Sequence, residues 1–158
     1  MAKRSVESVW DYPRPPKVEA YSGLIEVRHK GIVLAKSSSA YRVLETSHPP
    51  VFYLPPADIL LDYLAKTSRT SMCEFKGRAV YYDLVLPEGV VESVAWSYES
   101  PLRGYEVIAW HMAFYPSRVE ACYVDGERVK PQEGDFYGGW ITANIKGPFK
   151  GGPGTWGW

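Results

Sequence analysis

Three stretches of this sequence gather side chains that could do chemistry. The first is Arg42, Glu45 and Tyr53, set around the turn signal His48-Pro49-Pro50. An arginine can clamp an anion with two parallel N–H donors, and a glutamate can act as a general base or accept bonds from a ligand. The competing reading is a structural Arg–Glu ion pair at a strand end, and composition alone favours it. The second stretch is Thr70-Ser71-Met72-Cys73-Glu74-Phe75-Lys76-Gly77, read as a loop before a long strand. Lys76 can meet a phosphate or carboxylate as a point charge. Cys73 becomes a nucleophile only beside a base or cation, and otherwise it is a small buried hydrophobe. The third is Gly147 to Thr155, whose glycines could turn amides toward an anion. No helix follows it, so a packed Gly/Pro flap is the simpler reading.

The aromatic set Trp96, Tyr98, Trp110 and Tyr115 reads most simply as core and interface, and it could also form a stacking wall for a ring. Other chemistries lack their signatures. There is no phosphate-binding loop, no dinucleotide glycine fingerprint and no serine elbow. His29, His48 and His111 are scattered and no CxxC occurs, so no metal site is expected. Cys73 and Cys122 are the only cysteines. Their pairing is not readable from sequence, and two reduced thiols packed in β structure is the reading adopted.

These side chains need elements to hold them. Ile, Val, Trp, Phe and Tyr runs alternate with Gly, Pro and Asp-Gly breaks, which spells short strands and hairpins. Leu24–His29 and Ile32–Lys36 flank Lys30-Gly31 as one hairpin. Arg78–Leu86 and Val90–Tyr98 flank Pro87-Glu88-Gly89, and Asp125-Gly126 makes a further tight turn. Val107–Tyr115 reads as a strand. Asp58–Ala65 carries apolar residues at helical spacing after a proline and is the best helix candidate. The fold class that follows is mostly β: a compact antiparallel two-sheet tent or barrel-like fold with one short helix. Residues 1–17 read as an extended N-terminal arm that packs Trp10 and Tyr12, 18–130 as the mostly-β domain, and 131–158 as a Gly/Pro/Trp-rich flap held by aromatic packing.

With 158 residues, 46% hydrophobic and 15% aromatic, the chain is sized for one core with aromatic-walled pockets or an aromatic interface. Its formal net charge is zero. No basic field draws in nucleic acid, and no nucleic-acid partner is expected. No apolar run approaches a membrane span and no leader pattern opens the chain, so a cytoplasmic location is expected.

The blocks Arg42-x-x-Glu45, Pro49-Pro50-Val51-Phe52-Tyr53-Leu54-Pro55, Cys73-Glu74-Phe75-Lys76-Gly77, Ala95-Trp96-Ser97-Tyr98 and Ala113-Phe114-Tyr115 stand in the order of one bacterial family. The chain resembles domain-of-unknown-function family 427, sometimes labelled nucleotidyltransferase-like, over roughly Val18 to Val129. The arm and tail resemble a cyanobacterial or actinobacterial branch. In that family Pro and Tyr usually follow the Cys; here Glu74 and Phe75 stand instead, and the Lys76-Gly77 step is kept. The resemblance implies a small β fold of the tent or barrel kind and hints at a nucleotide or other anion as ligand. Nucleotidyl transfer normally uses two metal ions held by paired carboxylates. The closest pair here, Asp125 and Glu127, straddles a hairpin glycine.

The leading expectation is a small-molecule-binding protein, with enzymatic activity left open. Its catalytic candidates are Glu45 and Lys76, and its ligand-binding candidates are Arg42, Tyr53, Tyr81, Trp96 and Tyr98. No cofactor is named by any motif. The rival expectation is an interaction module whose aromatics bury a homodimer interface.

Overall fold

The computed structural model describes residues 4–134 and 136–158. The expected arm is therefore described from Arg4 onward. The strands are β1 (Glu7–Ser8), β2 (Lys17–Tyr21), β3 (Ile25–His29), β4 (Ile32–Ser37), β5 (Ala40–Leu44), β6 (Val51–Tyr53), β7 (Leu64–Cys73), β8 (Gly77–Leu86), β9 (Gly89–Ser97) and β10 (Met112–Phe114). They continue as β11 (Ala121–Val124), β12 (Glu127–Arg128), β13 (Lys130–Pro131), β14 (Trp140–Ile141) and β15 (Ile145–Lys146). No helix among the described residues is long and apolar enough to cross a membrane.

One antiparallel sheet runs β10-β9-β8-β7 and another runs β2-β5-β6. Leu54 and Met112 exchange both backbone hydrogen bonds, at 2.8 and 2.9 Å, and join the two into one curved layer. A second layer, β12-β11-β3-β4, packs on one face of it. The core between the layers takes Ile25, Val27, Leu34, Cys122 and Val124 from the small layer. Phe52, Leu54, Val80, Leu84 and Phe114 come from the large one. Period-two alternation then sends Val43, Tyr53, Ala79, Tyr81, Trp96 and Ala113 to the opposite face of the large layer. A sheet apolar on both faces needs a second cover, and the tail supplies it: Gln132, Phe136, Tyr137, Gly138 and Lys150 lie over that face. The mostly-β, antiparallel architecture agrees with the sequence reading; the layers do not close into a barrel.

The turns follow their residues. Lys30 and Gly31 take φ of 46° and 79°, and Asp125 and Gly126 take 51° and 83°. Two successive positive φ values are what a two-residue hairpin turn of this hand requires.

Four local expectations are corrected. The helix expected over Asp58–Ala65 is replaced by two 3-10 turns, Pro56–Asp58 and Leu61–Tyr63, with β7 starting at Leu64. Its apolar residues do not share a buried face: Ile59 is buried and bridges Ala35, whereas Leu60 and Leu61 are exposed. Tertiary pairing overrides helical spacing in so short a segment. The loop expected over Thr70–Gly77 is mostly strand, and only Glu74–Lys76 turn. The strand expected over Val107–Tyr115 begins with a 3-10 turn, Glu106–Ile108, and Trp110 at φ 64° breaks the run before β10. The arm is not extended throughout: Val9–Asp11 forms a 3-10 turn that buries Val9 completely, with the Ser8 hydroxyl accepting from the Trp10 amide.

Candidate functional site

The face of the large layer under the tail encloses a cavity of about 260 Å³. Its floor is a row of cross-strand neighbours. Tyr81 on β8 stands opposite Trp96 on β9, and Trp96 stands opposite Ala113 on β10. Tyr53 on β6 meets the Trp96 ring edge-on at 6.3 Å and accepts a hydrogen bond from its indole N–H at 3.3 Å. The Ser71 and Tyr81 hydroxyls are 2.8 Å apart. Tyr98, just past β9, tilts against Tyr53 at 6.2 Å. Burial pushes the Tyr53 and Tyr98 hydroxyls above the ordinary phenol range, so both stay neutral donors at physiological pH.

The tail makes the roof. Gly138 lies so close to the Trp96 ring that a Cβ there would overlap the indole. Tyr115 holds this stretch by donating its O–H to the Phe136 carbonyl at 2.9 Å. Gln132 ties three pieces together. Its amide donates to the Lys150 carbonyl at 2.7 Å and reaches His48 Nδ1 at 3.4 Å, while its oxygen accepts from the Gly139 amide at 3.1 Å.

Charge enters from two sides. Glu45 lines the rim, with its carboxylate 3.4 Å from Arg14 Nε and 3.8 Å from His48 Nε2. Burial lowers His48 to about 4, with Lys150, Arg14 and Lys76 adding to the effect and Glu45 opposing it. The imidazole is therefore neutral at physiological pH, and its Nδ1 can accept from Gln132. Lys76 sits in the turn between β7 and β8 and lines the cavity at only 8% exposure. Its ammonium lies 5.9 Å from the Tyr98 ring centre. Burial works against its charge, but the acidic groups around it, the Glu45 carboxylate among them, outweigh that, and its pKa lies above the ordinary lysine value. Among the described residues no carboxylate lies within ion-pair distance of this ammonium.

Of the seven residues expected from sequence, Glu45, Tyr53, Lys76, Tyr81, Trp96 and Tyr98 line this one cavity. Arg42 does not. It projects from β5 on the other face of the layer, beside Phe52 in register. There it bonds Glu19 at 2.6 Å and Glu7 at 2.8 Å, and it lines a separate cavity of about 200 Å³. The expected sharing of a site by Arg42 with Glu45 and Lys76 is corrected on that ground: the guanidinium is already matched by two carboxylates. Asp125 and Glu127 are likewise engaged in structure. Asp125 accepts from Tyr21 and from the Leu24 amide, and Glu127 pairs with Arg4 and the Ala143 amide. His48, Gln132, Tyr137 and Lys150 join the site, although their residue types and spacing do not single them out. His48 stands in the sequence only as part of a Pro-Pro turn, and the tail residues carry no signal beyond aromatics spaced by glycine.

Among curated proteins none matches the chain. A family model described as Domain of unknown function (DUF427), labelled NTP_transf_9, matches residues 17–125. That interval holds β2 through β11, the strands that build both layers and the cavity floor. The chain belongs to the domain of unknown function family DUF427.

Proposed function

We propose that the cavity binds a small anionic molecule with a ring or apolar body. The observation that carries this reading is Lys76: a lysine at 8% exposure that lines an open cavity, with no carboxylate within ion-pair distance among the described residues. The surroundings keep this lysine charged, and an anion bound beside it gains a charge-assisted hydrogen bond in a setting largely shielded from water. Tyr53, Tyr81, Trp96 and Tyr98 supply ring faces and hydroxyls for the rest of the ligand. The volume lies near the lower end for small-molecule sites, which suits a single ring system with one acidic group. The family label points toward nucleotides within this class. Glu45, at the rim, is the group placed to take a proton if the bound molecule reacts. The rival reading, a flat aromatic interface between two copies, is less well supported because these aromatics line a concavity roofed by the chain's own tail.

Calorimetric titration with adenosine monophosphate, phenyl phosphate and the neutral adenosine tests the reading. At least one of the two phosphates is expected to bind wild type. Lys76→Met should weaken that binding tenfold or more, the loss of a charged hydrogen bond of roughly 1.5–3 kcal/mol, with melting temperature little changed. Adenosine should bind equally to both proteins or not at all. Failure of both phosphates to bind, or equal affinity in Lys76→Met, contradicts the proposal.

A further inference from the structure

We propose that Arg69 is a second anion-recognising residue at the rim of the cavity, and that the ligand is acidic at two ends. Lys76 holds one acidic group inside the cavity, and Arg69 holds the other where the ligand emerges. The first group rests on the anion-binding reading above; the second rests on Arg69 alone.

An irregularity in β7 places Arg69. Lys66 stands opposite Tyr82 and Thr70 opposite Val80, so Thr67, Ser68 and Arg69 together face Tyr81. A bulge of this kind re-aims a side chain. Thr67 closes it: its hydroxyl donates to the Tyr81 carbonyl at 2.9 Å and accepts from the Arg69 amide at 3.1 Å. Just beyond, Ser71 and Cys73 line the cavity, and alternation along the strand puts Arg69 on their side. Its guanidinium carbon lies 4.2 Å from the centre of the Tyr81 ring. That ring is part of the cavity floor, opposite Trp96, with its hydroxyl 2.8 Å from Ser71. Arg69 therefore borders the cavity without lining it.

Stacking engages the face of a guanidinium and leaves the N–H donors on its edge free to grip a carboxylate or phosphate. Three other arginines lie over tyrosine rings, and each also donates a hydrogen bond from its guanidinium. Arg28 bonds Glu26, Arg42 bonds Glu7 and Glu19, and Arg118 bonds the Ser93 carbonyl. Lys66, the other cation of β7, is paired with Glu99 at 2.8 Å. The Arg69 guanidinium has no hydrogen-bond or ion-pair partner among the described residues, and the residue is exposed. A bulge and a charge also blunt an edge strand. That role needs only a charge, whereas this guanidinium is laid on the ring that floors the cavity.

The spacing suggests the ligand. Gly77, next to Lys76, and Tyr81 lie about 13 Å apart along β8, four residues at the rise of a strand. A benzene ring with acidic groups at opposite ends bridges a separation of this order. The ring and one acid fill the cavity, and the other acid meets Arg69 outside it.

4-Carboxyphenyl phosphate and 4-carbamoylphenyl phosphate match in shape and differ by one charge. Calorimetric titration at low ionic strength compares them, with phenyl phosphate as the reference. Wild type is expected to bind the carboxylate about threefold or more tighter than the carboxamide, the scale of a solvent-exposed ion pair. Added salt should shrink the ratio. Arg69→Met should bring the ratio to one with melting temperature unchanged, and Lys76→Met should weaken both compounds. Equal affinities in wild type, or a ratio unchanged in Arg69→Met, overturn the role of Arg69 and leave the anion-binding reading standing. Failure of both compounds, where phenyl phosphate or adenosine monophosphate binds, does the same. If none of the four binds, the anion-binding reading falls as well.

Discussion

Trp140→Ala should cost about 3–5 kcal/mol of stability, the range for removing a buried tryptophan from a packed core. In a domain of this size that lowers the melting temperature by roughly 10 °C or more. Trp140 comes from the tail, yet it is 1% exposed and belongs to the core between the two layers. Its ring packs on Phe52 at 5.2 Å, and its indole N–H donates to the Phe114 carbonyl at 3.0 Å. Its backbone amide donates to the Pro50 carbonyl at 2.8 Å. Alanine leaves a cavity and an unpaired Phe114 carbonyl together. Chemical denaturation measures the loss. A change under about 1 kcal/mol would mean that the tail does not close the core, since surface positions fall in that range.

The second large effect is in acid. His48 is held near 4 in the folded protein by burial, against about 6.5 in an unfolded chain. The unfolded chain therefore takes up the proton first as pH falls. His48 leaves stability unchanged above pH 6.5, lowers it progressively between about 6.5 and 4, and has its full destabilising effect below that window. The loss approaches roughly 3 kcal/mol, because each tenfold difference in proton affinity between the folded and unfolded chain corresponds to about 1.4 kcal/mol. The charged groups around the ring are Glu45, Lys150, Arg14 and Lys76, and three of those four oppose a positive imidazole. His48→Gln removes the titration, so its stability should fall less steeply than wild type across this window. Denaturation curves at several pH values give the comparison; parallel curves for the two proteins would show that His48 is not held neutral by the fold.

The strand pattern and the hairpin turns are legible in the sequence because their physics is local. Asp125-Gly126 and Lys30-Gly31 meet a backbone demand within two residues. The alternation along β8 and β9 sorts Tyr81 and Trp96 to one face without reference to anything distant. Arg42 shows what strand parity can tell. In a strand, residues three apart face opposite ways, so Arg42 and Glu45 are poor partners for one site from spacing alone. The true partners of Arg42, Glu7 and Glu19, lie 35 and 23 residues away in sequence, and no local rule pairs them. The helix expected at Asp58–Ala65 fails for a similar reason. Ile59 finds its place by bridging Ala35, and that contact lies outside any local window. The roof of the cavity is the least legible part. That Gly138 lies on Trp96, and that Gln132 links His48 to the tail, follow from how the chain returns after β13 rather than from composition.

The Lys76 ammonium waits in the cavity for an anion. Crystals soaked in bromide test it most directly, because the anion's anomalous signal marks its position without any assumption about the natural ligand. An ordered bromide is expected in the cavity at contact distance from Lys76 Nζ, and it should disappear in Lys76→Met crystals. An ammonium bonded to the Glu45 carboxylate, with no anomalous peak in the cavity, would contradict it.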